Sequence, residues 1–314
     1  MKAPKIDVSI VVPVYNSEGT LDLLHDRIKK VMGNRTWELI LVNDSSVDKS
    51  WHVIGSLAKR DRRITGVNLS NNFGQHNAIM CGLKFAKGKY IITMDDDLQH
   101  PPEEILKLVN GIVNNKKRVV YGQYKRKHHG WFRDLVSKGV NKLISKVTGS
   151  GYNVTSFRAI EKSVVNELIG FDNYNIMIDV IIKDIVSNRD VGHINVRHDK
   201  RTIGMSNYSF KMLFSYMINM IYNYTVWPLR IIMLLGFFIS FLSIFLGVFY
   251  LVWSLIYGNF ALGWTSLMIL ISFLSGLLLF ILGILGEYLG KMYMIINHKP
   301  QYIIRNILRR GNDD

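Results

Sequence analysis

The chain has 314 residues, 48% of them apolar, and a formal net charge of +15. This length and composition allow one sizeable domain and a further hydrophobic region. The single cysteine, Cys81, excludes an intramolecular disulfide. Because no basic and aromatic module of a known nucleic-acid-binding type is present, we expect no nucleic-acid partner and attribute the positive charge to an anionic membrane surface.

Short β-rich runs alternate with amphipathic stretches over residues 1–125, which predicts an α/β domain with a mostly parallel sheet. The predicted strands are Val8 to Val12, Glu38 to Val42, Ile64 to Asn68, Tyr90 to Met94 and Val119 to Tyr121. A further strand is predicted from Asn153 to Phe157. Dinucleotide-binding and P-loop glycine motifs are absent, so a metal ion is expected to neutralise any bound phosphates.

Three consecutive carboxylates, Asp95, Asp96 and Asp97, follow the fourth predicted strand. If this segment is extended, Asp95, Asp97 and Gln99 share one face and Asp96 points the other way. Their hard oxygen atoms suit Mg²⁺ or Mn²⁺ shared with substrate phosphates, at the strand ends where α/β sheets bind ligands. The alternative is a solvated loop that caps the next helix.

Polar residues also follow the first two predicted strands, and we expect them at the same edge of the sheet. A nucleotide could lie across them, with Asp44 accepting a hydrogen bond from the base or ribose and Tyr15 offering an apolar face. The segment Asn43 to Ser46 also fits an ordinary helix N-cap.

No Asp, Glu, Lys, Arg or His occurs from Ile231 to Gly286, a run long enough for two membrane-spanning helices. The first is predicted from about Leu229 to Trp253 and the second from about Trp264 to Tyr288. Basic residues flank the outer ends, which predicts cytoplasmic termini. The N-terminus has no signal-peptide pattern, so the front domain is expected in the cytoplasm. Glycines in the spans would allow close helix packing.

The expected organisation has four parts. Residues 1–208 form the catalytic domain, 209–228 an amphipathic juxtamembrane segment, 229–290 two transmembrane helices and 291–314 a basic cytoplasmic tail. A basic amphipathic stretch after Lys125 is predicted either to lie on lipid headgroups or to pack on the catalytic domain.

Four segments resemble the polyprenyl-phosphate glycosyltransferases of glycosyltransferase family 2, and the resemblance covers nearly the whole chain. They are Val11 to Asn16, Asn43 to Ser46, Asn72 to Met80 and Asp95 to Glu103. Gly74-Gln75-His76 and Trp131-Phe132-Arg133 are most similar to the bacterial branch that loads formamido-arabinose onto undecaprenyl phosphate. Dolichol-phosphate mannose synthases are similar but more distant.

The resemblance implies a GT-A, Rossmann-like catalytic domain followed by two transmembrane helices in the bacterial inner membrane, and a homo-oligomer. It implies that a divalent ion and the donor diphosphate bind Asp95, Asp97 and Gln99. The nucleoside of a UDP- or dTDP-sugar would lie among Pro13, Tyr15, Glu18 and Asp44. We also expect Gln75, His76 and Asp96 at the donor site, although His76 could instead pack at a helix start.

The expected reaction is inverting sugar transfer to undecaprenyl phosphate. That acceptor is already an anion, so the protein would supply positioning and charge neutralisation rather than a general base. Arg133, Arg158 and Arg201 are the candidates for holding the acceptor phosphate, since a guanidinium group suits its oxygens.

Some residues depart from the family pattern. Asn207 replaces a lysine in the late Arg-x-x-Gly-x-Ser-Lys element, Asn43 replaces an acidic residue, and the region from Gly149 to Asn188 differs most. Two alternatives stay open. One is transfer to a sugar hydroxyl with Asp179 as the base, and the other is a non-catalytic nucleotide-sugar sensor on the same fold.

Overall fold

The computed structural model describes residues 6–124, 155–172, 176–199, 263–296 and 300–309, with single positions between 234 and 256. The chain divides into two compact units, one of residues 1–207 and 298–314 and the other of residues 208–297. Arg133, Arg201, the basic stretch after Lys125 and the segment from 209 to 228 lie outside the described residues. The roles predicted for these residues stay predictions.

The first unit contains a single sheet built from eight described strands. In chain order they are β1 (Val8–Val14), β2 (Trp37–Asn43), β3 (Ile64–Leu69), β4 (Tyr90–Thr93), β5 (Val119–Gln123), β6 (Arg158–Glu161), β7 (Val191–Asn195) and β8 (Ile304–Leu308). Their spatial order is β7-β5-β6-β4-β1-β2-β3-β8. Strands β1 to β4 are parallel neighbours, whereas β6 and β8 run antiparallel to the strands beside them. The predicted mostly parallel α/β sheet is confirmed.

Helices cover both faces of this sheet. They are α1 (Leu21–Met32), α2 (Ser50–Arg60), α3 (Gln75–Phe85), α4 (Ile105–Asn115), α5 (Lys162–Leu168) and α6 (Ile178–Ile185). Apolar side chains of α1, α2 and α4 form the core on one face, and those of α3, α5 and α6 form the core on the other. Because both faces are covered, β1, β2 and β3 are buried along their whole length.

The structure corrects the position of the sixth strand and adds two strands that the sequence analysis missed. Strand β6 begins at Arg158, so the prediction of a strand ending at Phe157 places it too early. It pairs antiparallel with β4, where Thr93 lies opposite Arg158. This pairing brings a charged residue into the middle of the sheet, which no alternation of apolar residues predicts.

Strand β8 lies within the segment that we predicted as a basic tail. It pairs antiparallel with β3 and ends the sheet, with Gly66 opposite Leu308. Ile304 and Leu308 pack against the two apolar cores. Nearby basic residues made this segment resemble a solvated tail, yet the Arg309 guanidinium lies 5.3 Å from the centre of the Phe85 ring. The chain therefore returns to the catalytic sheet after residues 208–297.

The second unit contains α7 (Trp264–Ile296), a helix of 33 residues. At 1.5 Å per residue it is roughly 50 Å long, more than the ~30 Å hydrocarbon core of a bilayer. Its segment Phe273–Gly290 has a mean hydropathy of 1.9, and all of its described side chains except that of Ile284 are exposed or half-buried. Among the described residues it is the one helix long and apolar enough to cross a membrane. The first predicted span is described only at single positions, which are helical.

Candidate active site

The three aspartates lie in a tight turn beyond β4, at the carboxyl ends of the central strands. Strand β4 ends at Thr93, and Leu98 has a φ of 61°, in the left-handed region that a bulky side chain rarely adopts. The Asp97 Oδ1 accepts a hydrogen bond of 3.1 Å from the backbone N–H of Gln99. The alternation expected of an extended segment is therefore wrong here, because the chain turns immediately after the strand.

Asp95 is held by two side chains from different elements. Its Oδ1 accepts a 2.6 Å hydrogen bond from Gln75 Nε2 at the start of α3, and its Oδ2 accepts a 2.6 Å hydrogen bond from Ser156 Oγ. Burial raises the pKa of Asp95, and the neighbouring negative charge of Asp97 raises it further. A carboxylate in this environment is stabilised by a cation.

Asp96 connects the loops that follow β4 and β1. Its Oδ2 accepts a 3.1 Å hydrogen bond from the backbone N–H of Tyr15, and burial raises its pKa to about 6. The contact fixes the position of the Tyr15 backbone, while the Tyr15 side chain is exposed. Asp96 thus positions the loop instead of presenting a free carboxylate.

The donor atoms of this turn fit a divalent cation of the Mg²⁺ or Mn²⁺ type. In the described part of the chain, no three His, Cys, Asp or Glu side chains are placed to hold a metal ion together. A cation here would therefore rely on the carboxylates of Asp95 and Asp97 and the amide of Gln99, with water and substrate phosphates completing the shell. Mg²⁺ commonly binds in this way, through one or two carboxylates plus phosphate oxygens.

The residues predicted around the nucleoside build the loops after β1 and β2. Asp44 is buried, and its two oxygens accept hydrogen bonds from the backbone N–H groups of Phe73 (2.7 Å) and Gly74 (2.8 Å). Gly74 has a φ of 87°, which its lack of a side chain permits, and α3 begins at the next residue. Asp44 therefore sets where α3 starts.

Glu18 and Pro13 have structural contacts as well. The Glu18 Oε2 accepts a 2.7 Å hydrogen bond from the Lys49 backbone N–H, and the Glu18 N–H donates to Asp48 Oδ2 at 3.0 Å. Pro13 is buried inside β1, opposite Val42 of β2. These contacts join the loop after β1 to the loop after β2. Contact of Pro13, Glu18 or Asp44 with a nucleoside stays a prediction.

A cavity of about 190 Å³ lies beside Asp95 and is lined from α3, β6 and α6. Its walls include Gln75 and His76 of α3, Asp95, Ser156, Arg158 of β6 and Asp179 of α6. The ring of His76 has a buried Nδ1 with no hydrogen-bond partner among the described residues. Burial lowers the pKa of His76 to about 4, helped by the positive charge of Arg158, so the ring is neutral at pH 7.

Arg158 has no exposed surface and forms an ion pair with Asp179. Its Nε also donates a 3.1 Å hydrogen bond to Thr93 Oγ1, and the Tyr121 hydroxyl donates to Asp179 Oδ1 at 3.1 Å. The positive charge of Arg158, which we predicted to bind an acceptor phosphate, is therefore already neutralised inside the protein. The same ion pair engages the carboxylate of Asp179, the residue that we considered as a base for a hydroxyl acceptor.

Sequence reasoning missed three residues at this site. Ser156 holds Asp95. His100 lies with its Nδ1 3.8 Å from Asp95 Oδ2 and stacks on Phe157 at 5.1 Å between ring centres. Tyr121 supports Asp179 from β5. His100 belongs to a motif that the sequence displays. Ser156 directly precedes β6, which pairs with β4, and Tyr121 lies on β5, which pairs with β6, so only the fold brings them to the site.

Together, a mostly parallel sheet with a carboxylate turn at its carboxyl edge defines a GT-A-like glycosyltransferase domain. Residues 9–169 match the family model described as glycosyl transferase family 2. The chain belongs to glycosyltransferase family 2.

Curated relatives of similar length support this membership. The chain is 34% identical over 310 residues to the undecaprenyl-phosphate 4-deoxy-4-formamido-L-arabinose transferase of Shewanella sediminis, covering 96% of this chain and 92% of the relative. It is 33% identical to the protein of the same name from Proteus mirabilis, covering 96% and 94%.

A solved structure shows the same fold. Glucosyl-3-phosphoglycerate synthase from Mycobacterium tuberculosis, in complex with Mn²⁺, UDP and glucosyl-3-phosphoglycerate, superposes with a TM-score of 0.52 at 16% sequence identity. The match covers 69% of this chain and 78% of the other.

Proposed function

We propose that this enzyme transfers a sugar from a nucleotide-sugar donor to undecaprenyl phosphate with inversion, giving a lipid-linked sugar for modification of the cell envelope. The observation that carries the proposal is the Asp95-to-Gln99 turn at the carboxyl edge of the sheet, in a chain that matches relatives of that name over 96% of its length. Those relatives are named for the acceptor and for a formamido-arabinose.

In this reaction an oxygen of the lipid phosphate attacks the anomeric carbon. A new carbon–oxygen bond forms, the bond to the diphosphate breaks, and the nucleoside diphosphate leaves with the bonding electron pair. A phosphate monoester has a second pKa of about 6, so at neutral pH it is a competent nucleophile without a general base. The ion pair that occupies Asp179 agrees with this route and argues against a hydroxyl acceptor.

The chain's own residues would bind and orient the donor. Asp95, Asp97 and Gln99 would hold a divalent cation, which stabilises the charge of the leaving diphosphate as a Lewis acid. Gln75 and Ser156 fix both oxygens of Asp95 and so maintain its position before substrate arrives. With Arg158 paired to Asp179, we propose that Arg133 and Arg201 bind the acceptor phosphate.

We also propose two membrane crossings and a cytoplasmic catalytic domain. Strand β8 belongs to the same sheet as β1 to β7, so the chain on both sides of residues 208–297 contributes to one domain. This supports an even number of crossings. Helix α7 supplies one crossing, and the uncharged run from Ile231 to Trp253 is long enough for the second.

Cysteine labelling tests this topology. Cys81 is buried, so Asn259→Cys, in the predicted loop between the spans, and Asn312→Cys, near the C-terminus, each add one thiol whose labelling reports its side of the membrane. We expect a membrane-impermeant maleimide to label the Asn259→Cys protein in spheroplasts and the Asn312→Cys protein only after lysis. Labelling of both in spheroplasts would contradict the two-span topology.

The activity is tested with detergent-purified protein, Mn²⁺ or Mg²⁺ and a panel of UDP- and dTDP-sugars that includes UDP-4-deoxy-4-formamido-L-arabinose. Undecaprenyl phosphate is the acceptor, and undecaprenol is the matched control without the phosphate. We expect lipid-linked product from one donor, with the phosphate acceptor only, and its loss in EDTA. If nucleotide binds but no donor gives lipid product, undecaprenyl phosphate is refuted as the acceptor. That result would favour the hydroxyl-acceptor or sensor alternative.

A further inference from the structure

The chain that follows β7 lies against the end of the aspartate turn. The backbone N–H of Asp199 donates a 2.9 Å hydrogen bond to the backbone carbonyl of Gln99, one of the proposed cation ligands. The ring centre of His198 lies 5.7 Å from that of His100 and 4.3 Å from that of Tyr124, which directly follows β5. One short segment, residues 197–199, therefore contacts the proposed cation site directly.

A buried carboxylate holds this segment through Arg197. The side chain of Glu104 is only 3% exposed, and its Oε1 accepts a 3.0 Å hydrogen bond from Arg197 Nε, 93 residues away in sequence. The Nζ of Lys107 on α4 lies 2.6 Å from the other oxygen of the same carboxylate. A buried carboxylate is strongly unfavourable without cations, whereas both of these cations are more than half exposed. The burial of Glu104 therefore favours conformations in which Arg197 stays beside it.

A second arginine holds the other end of the segment. Arg27 of α1 donates two hydrogen bonds to Glu103, of 3.0 and 2.6 Å. Its Nη2 also lies 4.0 Å from Asp199 Oδ2. A guanidinium group that makes two hydrogen bonds to one carboxylate has a defined orientation, so it presents its charge to Asp199 from a fixed position.

The segment leads directly to one of the proposed acceptor residues. Arg201 is the second residue after Asp199, and two residues of chain span at most about 7 Å. Contacts that fix Asp199 beside Gln99 therefore limit how far Arg201 can lie from the proposed cation. The reacting atoms of the two substrates must approach to about 3–3.5 Å, so a small displacement of the acceptor phosphate would slow the reaction.

We infer that the Arg197–Glu104 pair is a positioning element for the acceptor: it holds the segment that leads to Arg201 against the aspartate turn, so that the lipid phosphate meets the bound donor. This inference rests on the proposed function. Glu104 acts through Arg197 and through the chain that Arg197 fixes, so both residues are positioning residues.

Steady-state kinetics of the full-length protein in detergent test the role of Glu104. Undecaprenyl phosphate is varied while the productive nucleotide sugar and Mn²⁺ or Mg²⁺ are saturating. Glu104→Gln removes the charge, nearly keeps the size of the side chain and leaves two exposed cations that water can solvate. We expect kcat/KM for undecaprenyl phosphate to fall about tenfold, the effect of one charged hydrogen bond, while the Kd of UDP or dTDP changes less than about twofold.

Variants of Arg197 test whether the pair acts as a unit. Arg197→Ala should lower kcat/KM for the acceptor by a similar factor, and Arg197→Lys, which keeps the charge, should recover part of it. The double variant Glu104→Gln with Arg197→Ala should be no worse than either single variant, because both changes remove the same contact. Arg197 is largely exposed, so its variants also serve if Glu104→Gln fails to fold.

Lys107→Ala is the matched control. It removes the other cation beside Glu104 but keeps the hydrogen bond to Arg197, and it should leave kcat/KM within about twofold of wild type. A loss as large as that of Glu104→Gln would show that the charge balance of the carboxylate matters and that its link to residue 197 does not.

The possible failures are distinguishable. Normal kinetics in Glu104→Gln beside a low kcat/KM in Arg197→Ala would overturn the inference, since Arg197 would then bind the phosphate itself. Weakened UDP or dTDP binding in Glu104→Gln, in step with kcat/KM, would assign the pair to the folding of the aspartate turn. Absence of lipid product from wild-type protein would refute the proposed function, and the acceptor role of the pair with it.

Discussion

The two halves of the site differ in some of the contacts that hold their carboxylates. Over β1 and β2, carboxylates accept hydrogen bonds from backbone N–H groups, as Asp44 does from Phe73 and Gly74 and Glu18 does from Lys49. Over β4 and β6, side chains contact other side chains, and the contacts include a buried ion pair. The contacts over β1 and β2 fix the shape of the loops, whereas those over β4 and β6 bring charged side chains together. We therefore expect substitutions in the first half to change stability and those in the second to change chemistry.

The largest expected effect is loss of activity in Asp97→Asn. The substitution keeps the size of the side chain but removes a charge from the proposed cation site, so we expect transfer to fall about 10³-fold, equivalent to several kcal/mol of charge stabilisation. The measurement is lipid-linked product per unit time. Asp22→Asn, in an exposed ion pair with Arg60 on α2, is the control. Near-normal activity in Asp97→Asn would place the chemistry elsewhere.

The second prediction concerns the Arg158–Asp179 pair. Arg158→Met leaves the Asp179 carboxylate without its cation, and we expect it to destabilise the protein by about 3 kcal/mol in denaturant unfolding. Arg158→Met combined with Asp179→Leu removes both charges and should be less destabilising than the single change. If the two substitutions add, the pair is not coupled in the way that the structure indicates.

The third prediction tests the loop-building half. Asp44→Ala leaves the N–H groups of Phe73 and Gly74 without their partner, which should reduce the free energy of unfolding by about 2 kcal/mol. Thermal unfolding in the absence of nucleotide is the measurement, and Asp22→Ala should stay within about 0.5 kcal/mol of wild type. A stable Asp44→Ala protein with weakened UDP binding would instead favour the nucleoside contact that the sequence suggested.

The smallest expected effect is a pH dependence from His76. Its folded pKa of about 4 lies below the ordinary 6.5, so as the pH falls below 6.5 the unfolded chain takes up a proton that the folded protein does not. Stability should therefore decrease on acidification. Between pH 7 and 5.5 we expect wild type to lose about 1 kcal/mol more than His76→Gln. His52→Gln serves as control, and parallel pH profiles for all three proteins would show that His76 is not buried as described.

Much of the sheet was predictable because buried parallel strands have a plain signature. Strands β1 to β5 follow continuous β-branched and apolar runs, and each observed strand overlaps its prediction. Strand β8 and the position of β6 were not predictable. Strand β8 contains the basic residue Arg305 and β6 starts with Arg158, so their place in the sheet depends on long-range pairing with β3 and β4.

The residue types of the site were predictable, but their tasks were not. The aspartate turn, Gln75, His76 and Arg158 do meet near one cavity or its rim. The expectation that Asp44 and Glu18 surround the nucleoside did not anticipate their backbone partners. Hydrogen-bond partners about 30 residues away in sequence leave no local pattern.

The sequence by itself determined the family, the parallel core, the place of the carboxylate cluster after the fourth strand and a long uncharged apolar segment, because each depends on local composition and spacing. Only the tertiary structure decided that Arg158 is neutralised by Asp179, that Ser156 and Gln75 hold Asp95, and that the C-terminal segment returns to the sheet. These features arise where distant segments become neighbours, and the energy of a charge depends on the neighbours that the fold gives it.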